Sequence, residues 1–299
     1  MFQPSARMIT RRSAVFAIGA GLGTVTFRPS CLAADDVLAA EFLVISDTHL
    51  GRNDNDEAAR QWELTAKELA AAPEKLVLHL GDVVDGGRES QYAIYKATAK
   101  TVGKPVHAIP GNHDPIELFA RHIRPEIDTV VDHAGIRFVL MGNAHSDSHD
   151  GFLEVAQLTW LDEQCRKAAD DMRHVIICMH VPAHANHHPD RGWYVKPEHG
   201  QKQFYAVLTG HRDRVIALFH GHFHNGIRGW DDTPGIHEII FPSALYNQDR
   251  KLAAQKAPGY NLDEFRPGYT HVRIKDGTMS LRYKPIGAAV SAEKDCRLM

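Results

Sequence analysis

Five short clusters carry the residue types from which a metal centre is built. They are Asp47-Thr48-His49; Gly81-Asp82 with Asp85 three residues on; Gly111-Asn112-His113-Asp114; His180; and Gly221-His222-Phe223-His224. Carboxylate, imidazole and amide oxygen are borderline-hard donors, and no thiolate accompanies them. Such a set suits Fe, Mn or Zn, or a mixed pair, better than a soft-metal site. Asp47, His49, Asp82, Asn112, His180, His222 and His224 are seven candidate ligands, too many for one tetrahedral ion. With Asp82 bridging, two ions would receive about four ligands each. Two divalent ions, two carboxylates and a bridging hydroxide leave a charge of about +1, which suits an anionic phosphoryl group. The chain also holds 20 histidines, a surplus in keeping with transition-metal binding.

Each cluster directly follows a short apolar run, at about 41–46, 75–80, 104–109, 174–179 and 214–219. These read as buried strands. Helical patterns at about 56–71 and 89–100 separate the first three, the pattern of a parallel sheet with crossovers, whose C-terminal strand ends share one crevice. Beyond Asp114 the runs 129–133 and 136–140 flank Ala134-Gly135 as a hairpin. A helix over 155–169 places Leu158, Leu161, Cys165 and Ala168 on one stripe. A helix over 200–213 and strands near 236–241, 269–275 and 279–284 follow, the last two joined by a turn at Lys275-Asp276-Gly277-Thr278. The spans 183–200 and 247–267 lack a period and read as irregular segments that set substrate range. The expectation is a single α/β domain over 35–299, with mixed sheets facing each other and helices outside.

The chain is 43% hydrophobic and 24% charged over 299 residues, which excludes a disulfide-stapled miniprotein, a disordered tail and a fibrous rod. Residues 1–34 hold Arg7, the pair Arg11-Arg12, Arg28 and no acid. A mild apolar run from Ala14 to Phe27 follows the pair, and Ala33-Ala34 offers a cleavage site. This order resembles a twin-arginine export signal, which implies the twin-arginine machinery as a partner and a periplasmic or secreted location. No apolar stretch is long enough for a membrane span in the mature protein. Without residues 1–34 the body has 30 Lys+Arg against 37 Asp+Glu, scattered without a basic stripe, so no stable nucleic-acid partner is expected. Cys165, Cys178 and Cys296 remain, an odd number without CxxC, and Cys178 inside a strand reads as a buried thiol rather than half of a bridge.

The order DxH, GD, GNHD, H and GHxH, carried here by Asp47-Thr48-His49, Gly81-Asp82, Gly111-Asn112-His113-Asp114, His180 and Gly221-His222-Phe223-His224, resembles the calcineurin-like metallophosphoesterase superfamily. Within it, the chain is similar to the bacterial phosphodiesterases of the cyclic-nucleotide and glycerophosphodiester type. The resemblance implies a four-layer α/β/β/α sandwich with two mixed sheets. It also implies that Asp47, His49 and His224 hold one metal, that Asn112, His180 and His222 hold the other, and that Asp82 bridges them. The purple acid phosphatase branch is less similar, having Gly at the position of His49 and a metal-bound Tyr at that of Asp85, so no tyrosinate colour is expected.

The activity this implies is hydrolysis of small phosphate esters, diesters ahead of monoesters, by attack of a metal-bridging hydroxide. His113, next to Asn112, is placed to act on phosphate: as imidazolium it would stabilise the developing charge or protonate the leaving alkoxide. Asp114 would orient it. Asp85 either orients a ligand or binds nothing, and His220 reads as a supporting histidine. His184, His187 and His188 read as loop residues, His184 nearest the site. Trp193, Tyr194 and Phe223 form either an aromatic wall for a planar leaving group or ordinary packing. Phosphomonoesterase or pyrophosphatase activity on the same site is the enzymatic alternative, and a catalytically silent metal-binding scaffold is the other.

Overall fold

A computed structural model of the chain describes residues 38–54, 56–185, 192–224, 236–246 and 266–298. The proposed signal, His187, His188 and most of the 247–267 segment lie outside them. The described residues all fall within one unit, Val37–Met299.

Strand β1 (Ala40–Ile45) shows why the runs are continuously apolar. Phe42 and Val44 face one way, into a core shared with the second sheet, while Leu43 and Ile45 face the other, into a core covered by helices. A strand buried on both faces has no reason to alternate with polar residues. β1 pairs in parallel with β2 (Val77–His79), which pairs in parallel with β3 (Val106–Ala108). On its other edge β1 runs antiparallel to β9 (Gly268–Lys275), followed outward by β10 (Thr278–Pro285) and β11 (Ala292–Arg297). The second sheet has the order β4 (Thr129–His133), β5 (Ile136–Met141), β6 (His174–Met179), β7 (Val215–His220), β8 (His237–Ile240). Only its β4–β5 pair is antiparallel. Both sheets are therefore mixed.

Phe42, Phe138, Phe219 and Phe241 meet between the sheets, Phe42 and Phe138 edge to face at 4.8 Å. Helices α1 (Glu57–Ala71) and α2 (Glu89–Thr101) cover the first sheet, with Ala58, Trp62, Ala66 and Leu69 of α1 spaced as one buried stripe. A short helix, α3 (Ile116–His122), follows β3 and buries Phe119. Helices α4 (Val155–Asp170) and α5 (Gln201–Gly210) cover the second sheet, and α4 buries Leu158, Leu161, Cys165 and Ala168. The layers are helix, sheet, sheet, helix. Cys165, Cys178 and Cys296 are free and buried.

Three details differ from the sequence reading. Helix α5 stops at Gly210 rather than 213, because His211 leaves helical geometry at φ −124° and a turn carries the chain into β7. Helix α3, with a single buried side chain, has too little apolar pattern to announce itself. Strand β11 (Ala-Glu-Lys-Asp-Cys-Arg) is an edge strand that buries only Ala292 and Cys296. Its charged residues pair outward, Asp295 and Glu293 with Arg282.

Candidate metal centre

The loops leaving β1, β2, β3, β6 and β7 lie at the carboxyl ends of their strands, where the two sheets open toward a common edge. Backbone hydrogen bonds stitch the first two together: Asp47 N–H donates to Gly81 O at 2.9 Å and His49 N–H to Asp82 O at 3.0 Å. The Thr48 hydroxyl donates to Val83 O at 2.9 Å, and the Ser243 hydroxyl to Asp47 O at 2.7 Å. The third loop approaches so closely that a Cβ on Gly111 would stand 2.1 Å from Asp82 Oδ1 and 2.3 Å from Asp82 N. Only glycine fits there.

Side-chain atoms of Asp47, His49, Asp82 and His224 fall within 4.8 Å of one another, and so do those of Asp82, His180 and His222. Asp82 belongs to both sets. All six residues are buried, as is Asn112. In the first set His224 Nε2 stands 3.0 Å from Asp47 Oδ1 and 3.1 Å from His49 Nε2, and His49 Nε2 is 3.5 Å from Asp82 Oδ2. The far nitrogens are already committed. His49 Nδ1–H donates to Asp85 Oδ1 at 2.9 Å and His224 Nδ1–H to Tyr246 O at 2.9 Å. Both Nε2 lone pairs therefore point at each other, an arrangement that calls for a cation between them.

The second set gives the same sign. His180 Nδ1–H donates to Leu80 O at 2.7 Å, which turns Nε2 inward. His180 Nε2 lies 3.2 Å from Asp82 Oδ2 but off the line a hydrogen bond needs. It, His222 Nε2 and Asn112 Oδ1 are buried polar atoms without a hydrogen-bond partner among the described residues. Three such orphans converging in one place fit a cation as their partner. The residues present thus suit two metal ions with Asp82 shared, one set adding the carboxylate of Asp47 and the other only imidazoles and an amide.

Backbone strain marks the same positions. Asp47, His49, Asp82, His222 and His224 all sit at positive φ, between 42° and 72°. Non-glycine residues adopt that region at a cost of roughly 1–3 kcal/mol each, so the surrounding hydrogen bonds must hold them there.

The charge field follows. Burial opposes ionisation of Asp47, yet His224 and His180 outweigh it and bring its carboxyl down to about 2. Burial likewise opposes charge on Asp82, but His180, His49 and His113 hold it well below the carboxylate range. For His180 burial disfavours the imidazolium, but Asp82 and Asp47 prevail and raise it to about 9. Burial keeps His49 and His222 below the usual imidazole value. Two ionised carboxylates and the neutral imidazoles of His49 and His222 are ready for cations, while His180 gives up a proton when one binds.

Residues 40–226 match the family model for calcineurin-like phosphoesterases, well over half of the chain. The chain belongs to this family. Its members generally bind two metal ions. Among curated relatives, a probable glycerophosphodiester phosphodiesterase of Arcobacter nitrofigilis is 27% identical over 60% of this chain and 70% of its own length. A glycerophosphodiester phosphodiesterase of Enterobacter lignolyticus is 24% identical over 52% of this chain and 58% of its own. A probable cyclic nucleotide phosphodiesterase of Fibrobacter succinogenes is 29% identical over 46% and 55%. A dimetal phosphatase from Danio rerio superposes with a TM-score of 0.66 over 88% of this chain and all of its own at 15% identity. A purple acid phosphatase from yellow lupin, Lupinus luteus, does so at 0.65, 12% identity and 55% of its own length. These two likenesses are likenesses of fold.

The remaining candidates separate into roles. His113 lines a cleft of about 660 Å³ beside the two donor sets. Its backbone N–H donates to Asp82 Oδ1 at 2.9 Å and its Nδ1–H to Asp85 O at 2.9 Å. Asp114 does not orient it. The Asp114 carboxylate instead accepts from Val83 N–H at 2.9 Å, Val84 N–H at 3.2 Å, Gly111 N–H at 2.9 Å and the Tyr92 hydroxyl at 3.0 Å. It is a buried clamp between the second and third loops, and burial with the nearby Asp82 pushes its pKa up to about 7. Asp85 is the residue behind His49, also 3.2 Å from Arg52; burial opposes its ionisation, but His49, His113 and Arg52 outweigh it and lower its pKa.

His220 is buried on β7. Its Nδ1–H donates to Met179 O, and its Nε2 faces Glu238 Oε1 at 3.0 Å, so it supports the site from beneath. Phe223 is buried, its ring 5.1 Å from His222 and 6.0 Å from Trp193. His184 is partly buried and held through its backbone, its N–H donating to Glu238 Oε1 at 2.9 Å. That places Glu238 as a hub the sequence reading missed. It also accepts from Ala183 N–H and the Tyr205 hydroxyl, fixing the loop after His180. An acid inside the run His237-Glu238-Ile239-Ile240 was its only signal. Ser243 and His149 were missed as well, and neither lies in a motif.

Proposed function

We propose that this chain hydrolyses small phosphodiesters at a dinuclear centre held by Asp47, His49, Asp82 and His224 on one side and Asp82, Asn112, His180 and His222 on the other. The observation that carries this reading is Asp82, shared by two sets of buried donors, with His180 Nε2, His222 Nε2 and Asn112 Oδ1 lacking a hydrogen-bond partner among the described residues where they converge. Metal ions bound there would supply charge neutralisation at the phosphoryl oxygens and a hydroxide nucleophile at neutral pH.

The chain's own residues do the rest. Asp85 and Tyr246 O hold the imidazoles of His49 and His224 with Nε2 inward. The Asp85 carbonyl fixes His113 by its Nδ1–H, so Nε2 is the nitrogen left to carry a proton to the departing alkoxide. An alkoxide is a poor leaving group, so a diester gains most from this proton. Relatives named as phosphodiesterases agree with diesters as the substrate class. The substrate is a small ester, the metals are Fe, Mn or Zn, and residues 1–34 direct export by the twin-arginine route to the periplasm or beyond.

The test is turnover of bis(p-nitrophenyl) phosphate against p-nitrophenyl phosphate by one metal-loaded sample. A higher kcat/KM for the diester supports the proposal. A preference for the monoester turns it to the phosphomonoesterase alternative, and binding of metal with no turnover of either turns it to the scaffold.

A further inference from the structure

The cleft beside the metal centre has two walls. One comes from the motif loops and presents Asp85, Asn112 and His113. The other comes from residues 146–150, after β5, together with Trp193, and holds no motif. This second wall is built rather than loose. Isolated bridges join Gly151 to both Ala144 and Val195, Gly151 N–H donates to Tyr194 O, and Lys196 Nζ stands 3.4 Å from Asp150 Oδ1. On it the His149 ring stacks on Trp193 at 4.1 Å with planes only 17° apart. Trp193 in turn lies 5.2 Å from the His222 ring, and His149 is 5.8 Å from it. A stacked imidazole is thus held beside the Asn112–His180–His222 side of the centre, in the same cleft as His113, whose ring stands 4.7 Å from His49 of the other donor set.

Among the described residues no lysine or arginine lines this cleft, while Asp85, Asp147 and Asp150 do. Anionic substrate oxygens not taken up by metal therefore meet only neutral side-chain donors and imidazoles among the described lining: Asn112, Ser146, Ser148, Trp193, His113 and His149. Of these, His149 is the one stacked on Trp193 and set beside His222, and either of its protonation states carries an N–H. A diester brings two ester oxygens, one on the bond that breaks and one on the arm that stays.

We propose that His149 is a substrate-contacting residue that hydrogen-bonds the retained ester arm of a phosphodiester, and so sets the preference for diesters over monoesters. The inference rests on the phosphodiester reading of the site. Two imidazoles lining one cleft, one beside His49 and one beside His222, then serve two ester oxygens: His113 the departing one, His149 the remaining one. The Trp193 stack fixes the ring, so little rotamer freedom is lost on binding.

The experiment compares wild type with H149A and H149N, each loaded with metal and checked for equal metal content. Rates are measured with bis(p-nitrophenyl) and p-nitrophenyl phosphate, and affinities for dimethyl phosphate and inorganic phosphate are measured by calorimetry. In H149A the ratio of diester to monoester kcat/KM is expected to fall about tenfold, with partial rescue in H149N, whose amide keeps a donor. Affinity for dimethyl phosphate should fall by a similar factor relative to inorganic phosphate. An unchanged ratio in an enzyme that does hydrolyse diesters overturns the role of His149 and leaves the functional proposal standing. A wild type that turns over no diester defeats the functional proposal instead, and the dimethyl phosphate affinities then decide on His149: equal binding by wild type and H149A, or none by wild type, overturns it.

Discussion

Replacing Asp114 by alanine separates two physical pictures of the GNHD loop. If Asp114 oriented His113, its loss would slow catalysis and leave the fold alone. The structure instead gives it four buried donors: the backbone amides of Val83, Val84 and Gly111 and the Tyr92 hydroxyl. A buried donor stripped of its acceptor costs about 1–3 kcal/mol. Four neighbours do not add fully, and water entering the space left behind offsets some of the loss, so about 4 kcal/mol is the working figure. At roughly 2–4 °C per kcal/mol for a chain of this size, Tm should drop by about 10 °C. Tyr92→Phe removes only one donor and should cost about 1 kcal/mol, and in the double variant the two losses should fall short of their sum. The assay is thermal melting by circular dichroism, on metal-loaded and chelator-treated protein, alongside kcat. A melting curve unchanged by Asp114→Ala, together with a much lower kcat, would refute the clamp and restore the orienting role.

Three further outcomes follow from the same geometry. Asp85→Asn takes the carboxylate from His49 Nδ1–H and from Arg52, and metal affinity at the Asp47–His49–His224 side should fall roughly 10–100-fold by chelator competition; a change under twofold would mean Asp85 does not set the orientation of His49. In metal-stripped protein His180, raised from 6.5 to about 9, adds stability that is fully present below pH 6.5 and fades as pH rises through 9. A metal ion must displace that proton, so calorimetry at pH 7.5 in buffers of different ionisation enthalpy should show about one proton released, and no buffer dependence would contradict this. His113→Ala should keep both metals yet lower kcat for unactivated diesters by roughly 10²–10⁴, and an unchanged rate would end its assignment as proton donor.

Legible in the sequence is the chemistry that demands particular residue types. Carboxylates, imidazoles and an amide at the ends of apolar runs define a centre because few other uses require that set in that order. The strands that carry them were equally plain, since the part of a strand covered on both faces must be apolar, as residues 42–45 of β1 and 175–179 of β6 are. What stayed hidden depends on distant backbone. Nothing next to Asp114 reveals that its partners are the amides of Val83, Val84 and Gly111, and proximity in sequence suggested His113 instead. Glu238 acts through the amides of Ala183 and His184, more than fifty residues away in the chain. The wall that carries His149 takes its shape from bridges to residues 193–195, and a lone histidine between Ser148 and Asp150 has no pattern to betray it. Strand β11 escaped because an edge strand follows charge pairing rather than burial.

The central claim is that Asp82 is shared by two cations. The most direct measurement is metal stoichiometry by elemental analysis of folded wild type and of Asp82→Asn, each dialysed against the same low metal concentration. Two transition-metal ions per wild-type chain, and at most one, weakly held, in Asp82→Asn, are the predicted result. One ion or none in wild type, or two retained without Asp82, would contradict the account.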